Sequence, residues 1–384
     1  MSLRVLHCPW MVGGNPAGLA AAERELGLDS RTVVFRPPAF GYPVDEILWS
    51  DDDRPIVCEL KRWRLLRRAL LDFDIVHFNF GCTIAPQRIP EDAPGVDAAT
   101  SARDRAYRAY SRLLEQRDLP LLKRAGKGIF VTFQGDDARQ GDVSSLLPVN
   151  GAREAAPGHY TPASDADKRR RIARFDRYAD GIYAVNPDLL RVLPGRARFL
   201  PYANIDPRAW GELPAPNNPR PLVLHAPTNR EIKGTRFLLD AASRLQAEGI
   251  ELELRLVEGV TQSEARELYG RADLVVDQLL LGWYGGVAVE AMALGRPVVS
   301  YLREDDLSSL PPAMRAELPL IQADPSSIYD VLRELLTTRR GELPELGWRS
   351  RGFVASWHDP RRIAERLLGD YEAALSRRRG GSDA

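Results

Sequence analysis

The sequence predicts an α/β protein of two doubly wound domains, each a mainly parallel sheet with helices on both faces. Three observations point there. Short apolar runs alternate with longer helical patterns almost from end to end, the signature of repeated strand–helix–strand units. Many of those runs are Val, Ile and Leu without strict alternation, as expected when both faces of a sheet are covered. A proline-rich stretch then divides a chain of 384 residues, too long for one ordinary core.

In the first half, strands are expected at 3–7, 32–35, 74–79, 128–133, 181–185 and 198–200, with helices at 16–26, 59–71, 103–116, 166–178 and 187–193. The second half repeats the alternation, with strands at 221–225, 251–257, 273–277, 297–301 and 320–322 and helices at 235–248, 263–269, 286–294 and 326–337. Between the halves, Pro207, Pro214, Pro216, Pro219 and Pro221 surround Asn217 and Asn218. Proline removes an amide donor and fixes φ, so neither helix nor central strand persists there. The expected division is a first domain at 1–205, a linker at 206–221 and a second domain at 222–359, followed by a final helix at 360–378 and a frayed arginine-rich tail. Two connections, 81–101 and 136–164, are long and rich in Pro, Gly and Ala; such loops read either as lids or binding loops or as surface insertions.

Composition excludes several classes. Lys plus Arg and Asp plus Glu both number 53, so the chain carries no net charge and lacks the basic excess of a protein whose whole surface grips nucleic acid. Hydrophobic residues at 44% and charged residues at 28% describe a folded globular chain. Cys8, Cys58 and Cys82 are too few and too scattered for a disulfide framework or a zinc site, which favours a reducing, cytoplasmic setting. The first residues run straight into a strand, unlike a signal peptide, and the most apolar stretch, 279–295, is interrupted by Glu290 and glycines and is too short to span a bilayer.

Chemistry concentrates at 277–300. A strand ends at Asp277, a glycine-rich loop follows, and a helix opens near Gly285-Gly286. Glycines let the backbone approach a bound anion, and the exposed amides and dipole at a helix start form a ready phosphate site. Glu290, about one turn into that helix, repels phosphate but can accept hydrogen bonds from paired sugar hydroxyls. The combination suggests a nucleotide, diphosphate at the helix start and ribose at the glutamate.

In these residues the chain resembles the GT-B fold glycosyltransferases, in particular glycosyltransferase family 4. Their hallmark is a Glu, seven residues, then a second Glu followed by Ala-Met and Gly-x-Pro-Val. Here Gly282 stands at the first position, and Glu290-Ala291-Met292 with Gly295-Arg296-Pro297-Val298 match the second. The resemblance implies that Glu290 holds the donor ribose and that Gly285, Gly286 and Val287 lie at the donor nucleotide. At 222–235 a strand, a polar loop and a helix carry Arg230 and Lys233-Gly234. The family uses an Arg and a Lys-Gly there to hold the donor diphosphate and stabilise it as leaving group. Solvated loop charges are the alternative for this pair.

The resemblance extends more thinly over the first half. Gly13-Gly14 follows the first strand and opens a helix as the family's first glycine loop does, which places Gly14 at the donor; a plain tight turn is the alternative. Gln134-Gly135-Asp136-Asp137 resembles the family's His-Gly-x-Asp segment, with Gln134 in place of the histidine and Asp137 keeping the acid. An amide can hydrogen-bond a sugar but exchanges no proton near neutral pH. His77 and Asn79, ending the strand at 74–79, are expected to face acceptor or sugar; a satisfied core histidine is the competing reading of His77. The string Asp51-Asp52-Asp53 reads as a solvated loop rather than a metal motif. The run at 61–68 reads as an arginine-rich surface helix, with a basic helix lying on anionic lipid as its alternative.

By resemblance, then, the fold is GT-B, two Rossmann-like domains facing across a cleft that holds the active site. The expected reaction is glycosyl transfer from a nucleotide-diphosphate sugar, metal-independent and retaining. Lys233, Arg230, Gln134 and Asp137 carry the chemistry, and there is neither metal nor cofactor, the nucleotide sugar being a substrate. The acceptor is a saccharide, a lipid-linked molecule or a small molecule, nucleic acid is not a partner, and peripheral contact with the inner face of a membrane is the one departure from a plain cytoplasmic setting. The rival readings are a nucleotide-sugar-binding protein without turnover, motivated by Gly282 and Gln134, and a GT-B sugar-nucleotide epimerase, which needs a carboxylate set absent from the sequence.

Overall fold

A computed structural model describes residues 2–88, 101–211 and 213–380. Part of the long connection at 81–101 therefore lies outside the described residues. The strands are β1 (Arg4–Cys8), β2 (Asp29–Val34), β3 (Glu46–Ile47), β4 (Ile75–Asn79), β5 (Gly128–Phe133), β6 (Gly181–Ala184), β7 (Arg198–Phe199), β8 (Leu222–His225), β9 (Glu253–Leu256), β10 (Leu274–Val276), β11 (Val298–Ser300) and β12 (Ile321–Gln322). The helices are α1 (Asn15–Glu25), α2 (Pro55–Leu71), α3 (Ala102–Leu114), α4 (Asp118–Arg124), α5 (Gly141–Ser144), α6 (Pro162–Tyr178), α7 (Arg230–Lys233), α8 (Thr235–Ala247), α9 (Gln262–Arg271), α10 (Gly286–Ala293), α11 (Glu304–Leu307), α12 (Pro312–Glu317), α13 (Ile328–Leu336), α14 (Leu343–Trp357) and α15 (Pro360–Gly380).

The chain divides into two compact units. The first comprises 1–142, 158–203 and 360–384; the second comprises 143–157 and 204–359. In the first, seven strands run in the order β3-β2-β1-β4-β5-β6-β7, and every pairing is parallel. Alternation separates its core into two layers. Leu6, Val76, Ile129 and Val131 face α2, α4 and α6, whereas Val5, Ile75 and Phe130 face α1 and α15. Both layers are fully buried, so the strands read as unbroken apolar runs. The final helix belongs to this unit, packing Ile363, Leu367, Tyr371 and Ala374 onto the sheet.

The second unit has five parallel strands in the order β12-β11-β10-β8-β9. Its core joins Val223, Leu274, Val276 and Val299 to Leu238 and Leu245 of α8 and Leu332 and Leu335 of α13. The strand order reverses between β1 and β4 in the first sheet and between β8 and β10 in the second. In open α/β sheets, ligands bind outside the carboxyl ends of strands at such a switch point.

Some elements depart from the sequence reading. The strand β3 is two residues long and pairs at the edge, Val33 opposite Glu46, and follows a stretch broken by Pro37, Pro38, Gly41 and Pro43 that carries no apolar run. The helix α14 falls where no helix is expected, because Pro344, Gly347 and Gly352 depress its propensity. Packing overrides propensity there: a Cβ on Gly347 would stand 2.1 Å from the Gly295 carbonyl oxygen, so the glycine permits close approach. The segment expected as a helix at 187–193 forms a 3₁₀ turn, Pro187–Arg191.

Candidate functional site

The switch point of the second sheet is built from two loops. After β8, Asn229 caps α7 by accepting the Ile232 amide at 3.0 Å, and the single turn ends at Gly234 with φ +81°. A side chain at Gly234 would be strained by that φ and would meet Leu279 and Leu280 at 3.2 Å, which is why a glycine must follow the lysine. The Leu279 amide donates to the Lys233 carbonyl at 3.0 Å and ties the α7 turn to the loop after β10.

That loop runs from Asp277 to α10. Gly285 is the residue before α10 and supplies no side-chain cap, and the first turn of the helix holds no acid. Its amide donates to Asp277 Oδ2 at 2.5 Å, and Lys233 Nζ stands 3.4 Å from Asp277 Oδ1. A Cβ on Gly285 would lie 3.3 Å from Lys233 Nζ. The structure thus brings Lys233 against Gly285 at the start of α10. Asp277 is fully buried beneath the pair while Lys233 keeps 9% of its surface open, so one carboxylate orients both donors. Beside this site, burial pushes the Tyr269 phenol far up, helped by Glu290 and Asp277.

Glu290 lies one turn further along α10 and is 2% exposed. The Asn204 side-chain amide reaches toward both the Gly286 carbonyl, at 3.4 Å, and Glu290 Oε1, at 3.5 Å. Val287, second in the helix, is half-buried. Arg230 opens the same α7 turn that Lys233 closes, and its guanidinium makes a bidentate, solvent-exposed pair with Glu258 after β9.

Gly282 has φ +74°, and a Cβ there would sit 2.6 Å from Arg303 Nη1 and 2.7 Å from its Cζ. Arg303 is fixed by Asp306 at 2.7 Å and the Val149 carbonyl at 2.9 Å, and its amide donates to the Gly282 carbonyl. A side chain at the position where the family pattern has its first glutamate would therefore strain the backbone and have to displace Arg303. The segment 143–157 packs against the same region, with Gly151 close upon Ile232 and Glu154 paired with Arg236.

In the first unit, the structure brings Gln134 and Asp137 together after β5. Asp137 accepts the Gln134 amide at 3.0 Å and the Gly135 amide at 2.7 Å, which closes the turn. Burial raises its carboxyl to about 6 despite those two amides. Gln134 Nε2 is buried with no hydrogen-bond partner among the described residues. Asp136 accepts from His159 and Tyr160 and pairs with Arg139. Gly14 precedes α1 at the carboxyl end of β1, after Gly13 at φ +62°.

His77 is a core residue rather than an open one. It has no exposed surface, and its ring bonds Tyr371 Oη at 2.7 Å and Thr132 Oγ1 at 2.8 Å, so both nitrogens are occupied. Asn79 is equally buried and donates to the His77 carbonyl at 3.2 Å. The aspartate string at 51–53 sits in a surface turn where Asp53 accepts the Ser50 amide and pairs with Lys61. Sequence reasoning missed Asp277, Asn204 and Arg303. Asp277 had one legible signal, a carboxylate at a strand end entering a glycine-rich loop; Asn204 and Arg303 are distant in sequence and had none.

The chain matches no family profile and no curated protein. Solved structures do match it over nearly their whole length. Sucrose-phosphate synthase from Thermosynechococcus elongatus aligns at a TM-score of 0.60 and 13% identity, over 98% of this chain and all of that one. Anabaena HepE, solved in complex with UDP-glucose, aligns at 0.57 and 11% identity over 97% of this chain and all of its own. A glycosyltransferase from Rickettsia africae aligns at 0.55 and 12% identity, over 97% of this chain and 99% of that one. With two parallel, doubly wound α/β units and these structural relatives, the chain has the GT-B fold.

Proposed function

We propose that this protein is a glycosyltransferase that moves a sugar from a nucleotide-diphosphate sugar to an acceptor, by the retaining, metal-independent transfer of family 4. One observation carries the reading. At the switch point between β8 and β10, an ammonium group stands against the open first turn of a helix, with a buried carboxylate one turn beyond. Lys233 and the α10 amides suit a diphosphate, and Glu290 suits the ribose hydroxyls. As the bond from the anomeric carbon to the diphosphate breaks, negative charge grows on the leaving oxygen. Preorganised donors stabilise that charge, and losing one typically costs on the order of 10²–10³ in rate. The acceptor oxygen bonds the anomeric carbon and its proton leaves with the departing diphosphate. The acceptor is a saccharide, a lipid-linked molecule or a small molecule, met in the cytoplasm.

UDP-glucose, the molecule bound in the HepE structure, is the first donor to try. Lys233→Ala should weaken nucleoside diphosphate binding roughly tenfold or more with the fold intact, read by calorimetry. Unchanged affinity would reject the site. Glu290→Ala should cost much less with a nucleotide lacking ribose hydroxyls than with the ordinary one; equal losses would remove its ribose role.

A second reading, nucleotide-sugar binding without turnover, draws on Gly282 and Gln134. Arg303 fills the space where the family carries a carboxylate, and an amide replaces a histidine. Release of free nucleotide from a bound nucleotide sugar separates the two readings.

A further inference from the structure

The helix α2 buries Arg62, Leu65, Leu66 and Ala69. The residues at 56, 60, 64, 67 and 71 recur at helical spacing and form the opposite pole. An ordinary surface helix is polar there. Here the pole carries Ile56, Leu60 and Leu71, which are 66%, 54% and 58% exposed, together with exposed Arg64 and Arg67. It bears no acid. The other cations of α2 are engaged: Arg62 by Glu59, Lys61 by Asp53 and Arg68 by Glu46. No carboxylate pairs with Arg64 or Arg67 among the described residues.

The helix α3 continues this surface. Trp63 of α2 donates to Tyr110 Oη at 2.8 Å, and Tyr110 donates to Glu59 at 2.8 Å, which fixes the two helices side by side. Along α3 stand Arg103, Arg105, Arg108 and Arg112 with Asp104 as the one acid, and Leu113 is 66% exposed. Together the two helices hold nine cations and two acids in a chain of zero net charge.

We propose that the outward faces of α2 and α3 dock this protein on an anionic lipid surface. Large aliphatic side chains interleaved with guanidinium groups, those of Arg64 and Arg67 without a carboxylate among the described residues, match the boundary between headgroups and acyl chains: the apolar groups enter it and the cations meet lipid phosphates. A polyanion in water would use the cations and leave Ile56 and Leu60 idle. No helix among the described residues is long and apolar enough to cross a membrane, so the contact lies on the surface. It lies on the first unit and does not depend on the donor-site reading.

The test is co-sedimentation of the full chain with vesicles of phosphatidylcholine alone and of phosphatidylcholine mixed equally with phosphatidylglycerol. Binding is expected to the anionic vesicles only and to fall as salt rises. The double variant Arg64→Glu with Arg67→Glu should weaken partition at least roughly tenfold. The second pair, Ile56→Ser with Leu60→Ser, should also weaken it, and melting temperatures check that either pair folds. The proposal is overturned by no sedimentation with anionic vesicles, by equal sedimentation with neutral ones, or by indifference to both variants. It is likewise overturned if the chain binds heparin, the charge reversal abolishes that binding, and Ile56→Ser with Leu60→Ser changes neither ligand.

Discussion

At the scale of residues, two positions show how local geometry redefines a sequence motif. Gly282 looks like a lost glutamate, yet its φ of +74° strains any side chain, which would also have to displace the guanidinium of Arg303. Gly282→Glu should therefore destabilise the fold by about 1–3 kcal/mol instead of restoring a sugar contact, seen as a lower denaturation midpoint. An unaltered midpoint would show that Arg303 yields. Asp137 is the second case. Its buried carboxyl sits at about 6, against an unfolded value near 3.9. The folded state binds the extra proton, so this contribution to stability is present below about pH 4 and lost as pH rises through about 6. Asp137→Asn keeps an oxygen for both amides and removes the buried charge. It should flatten stability between about pH 4 and 6 and gain about 1–3 kcal/mol at pH 7, checked by denaturant melts across pH. A variant less stable at pH 7 would mean the ionised form is favoured in the fold.

At the scale of elements, caps set where helices begin. Thr161 accepts the Ser164 amide at 3.0 Å, and Ser164 Oγ accepts the Thr161 amide at 3.0 Å, a reciprocal box that opens α6. Thr161→Ala should cost about 1 kcal/mol, measured by urea unfolding. No loss would show that packing alone starts the helix. The start of α10 is the contrast. Gly285 leaves its first turn without a side-chain cap, and its amide is held by the carboxylate of Asp277, delivered by the strand before it. Caps and glycine turns are local and therefore legible, whereas α14 is not, because its Gly347 serves the close approach to Gly295 instead of helix propensity.

At the scale of the whole molecule, the final helix closes a circuit through the first unit. Tyr371 bonds His77 across 294 positions and donates to Glu23 Oε1 at 3.1 Å, and Glu23 also accepts from Ser30 and bonds His7. All of these are buried. Tyr371→Phe leaves two buried polar atoms short of a partner and should cost about 1–3 kcal/mol. An unmoved midpoint would mean that water or a rearranged ring replaces the phenol. This circuit also explains His77: a histidine at a strand end looks like a ligand until the returning helix occupies its ring.

What the sequence determined by itself is the part governed by local periodicity and turn chemistry. Short apolar runs alternating with helical patterns marked every strand but β3, many of them unbroken, and Lys233-Gly234 and Gly285-Gly286 marked loops at strand ends because glycine is needed where φ is positive or the backbone is approached closely. Only the tertiary structure decided which charges meet. It paired Arg230 with Glu258, set Asp277 beneath Lys233, filled the space at Gly282 with Arg303 and enclosed His77 under Tyr371. Electrostatic and packing partners are chosen by distance in space, and residues tens or hundreds of positions apart leave no periodic trace of that choice.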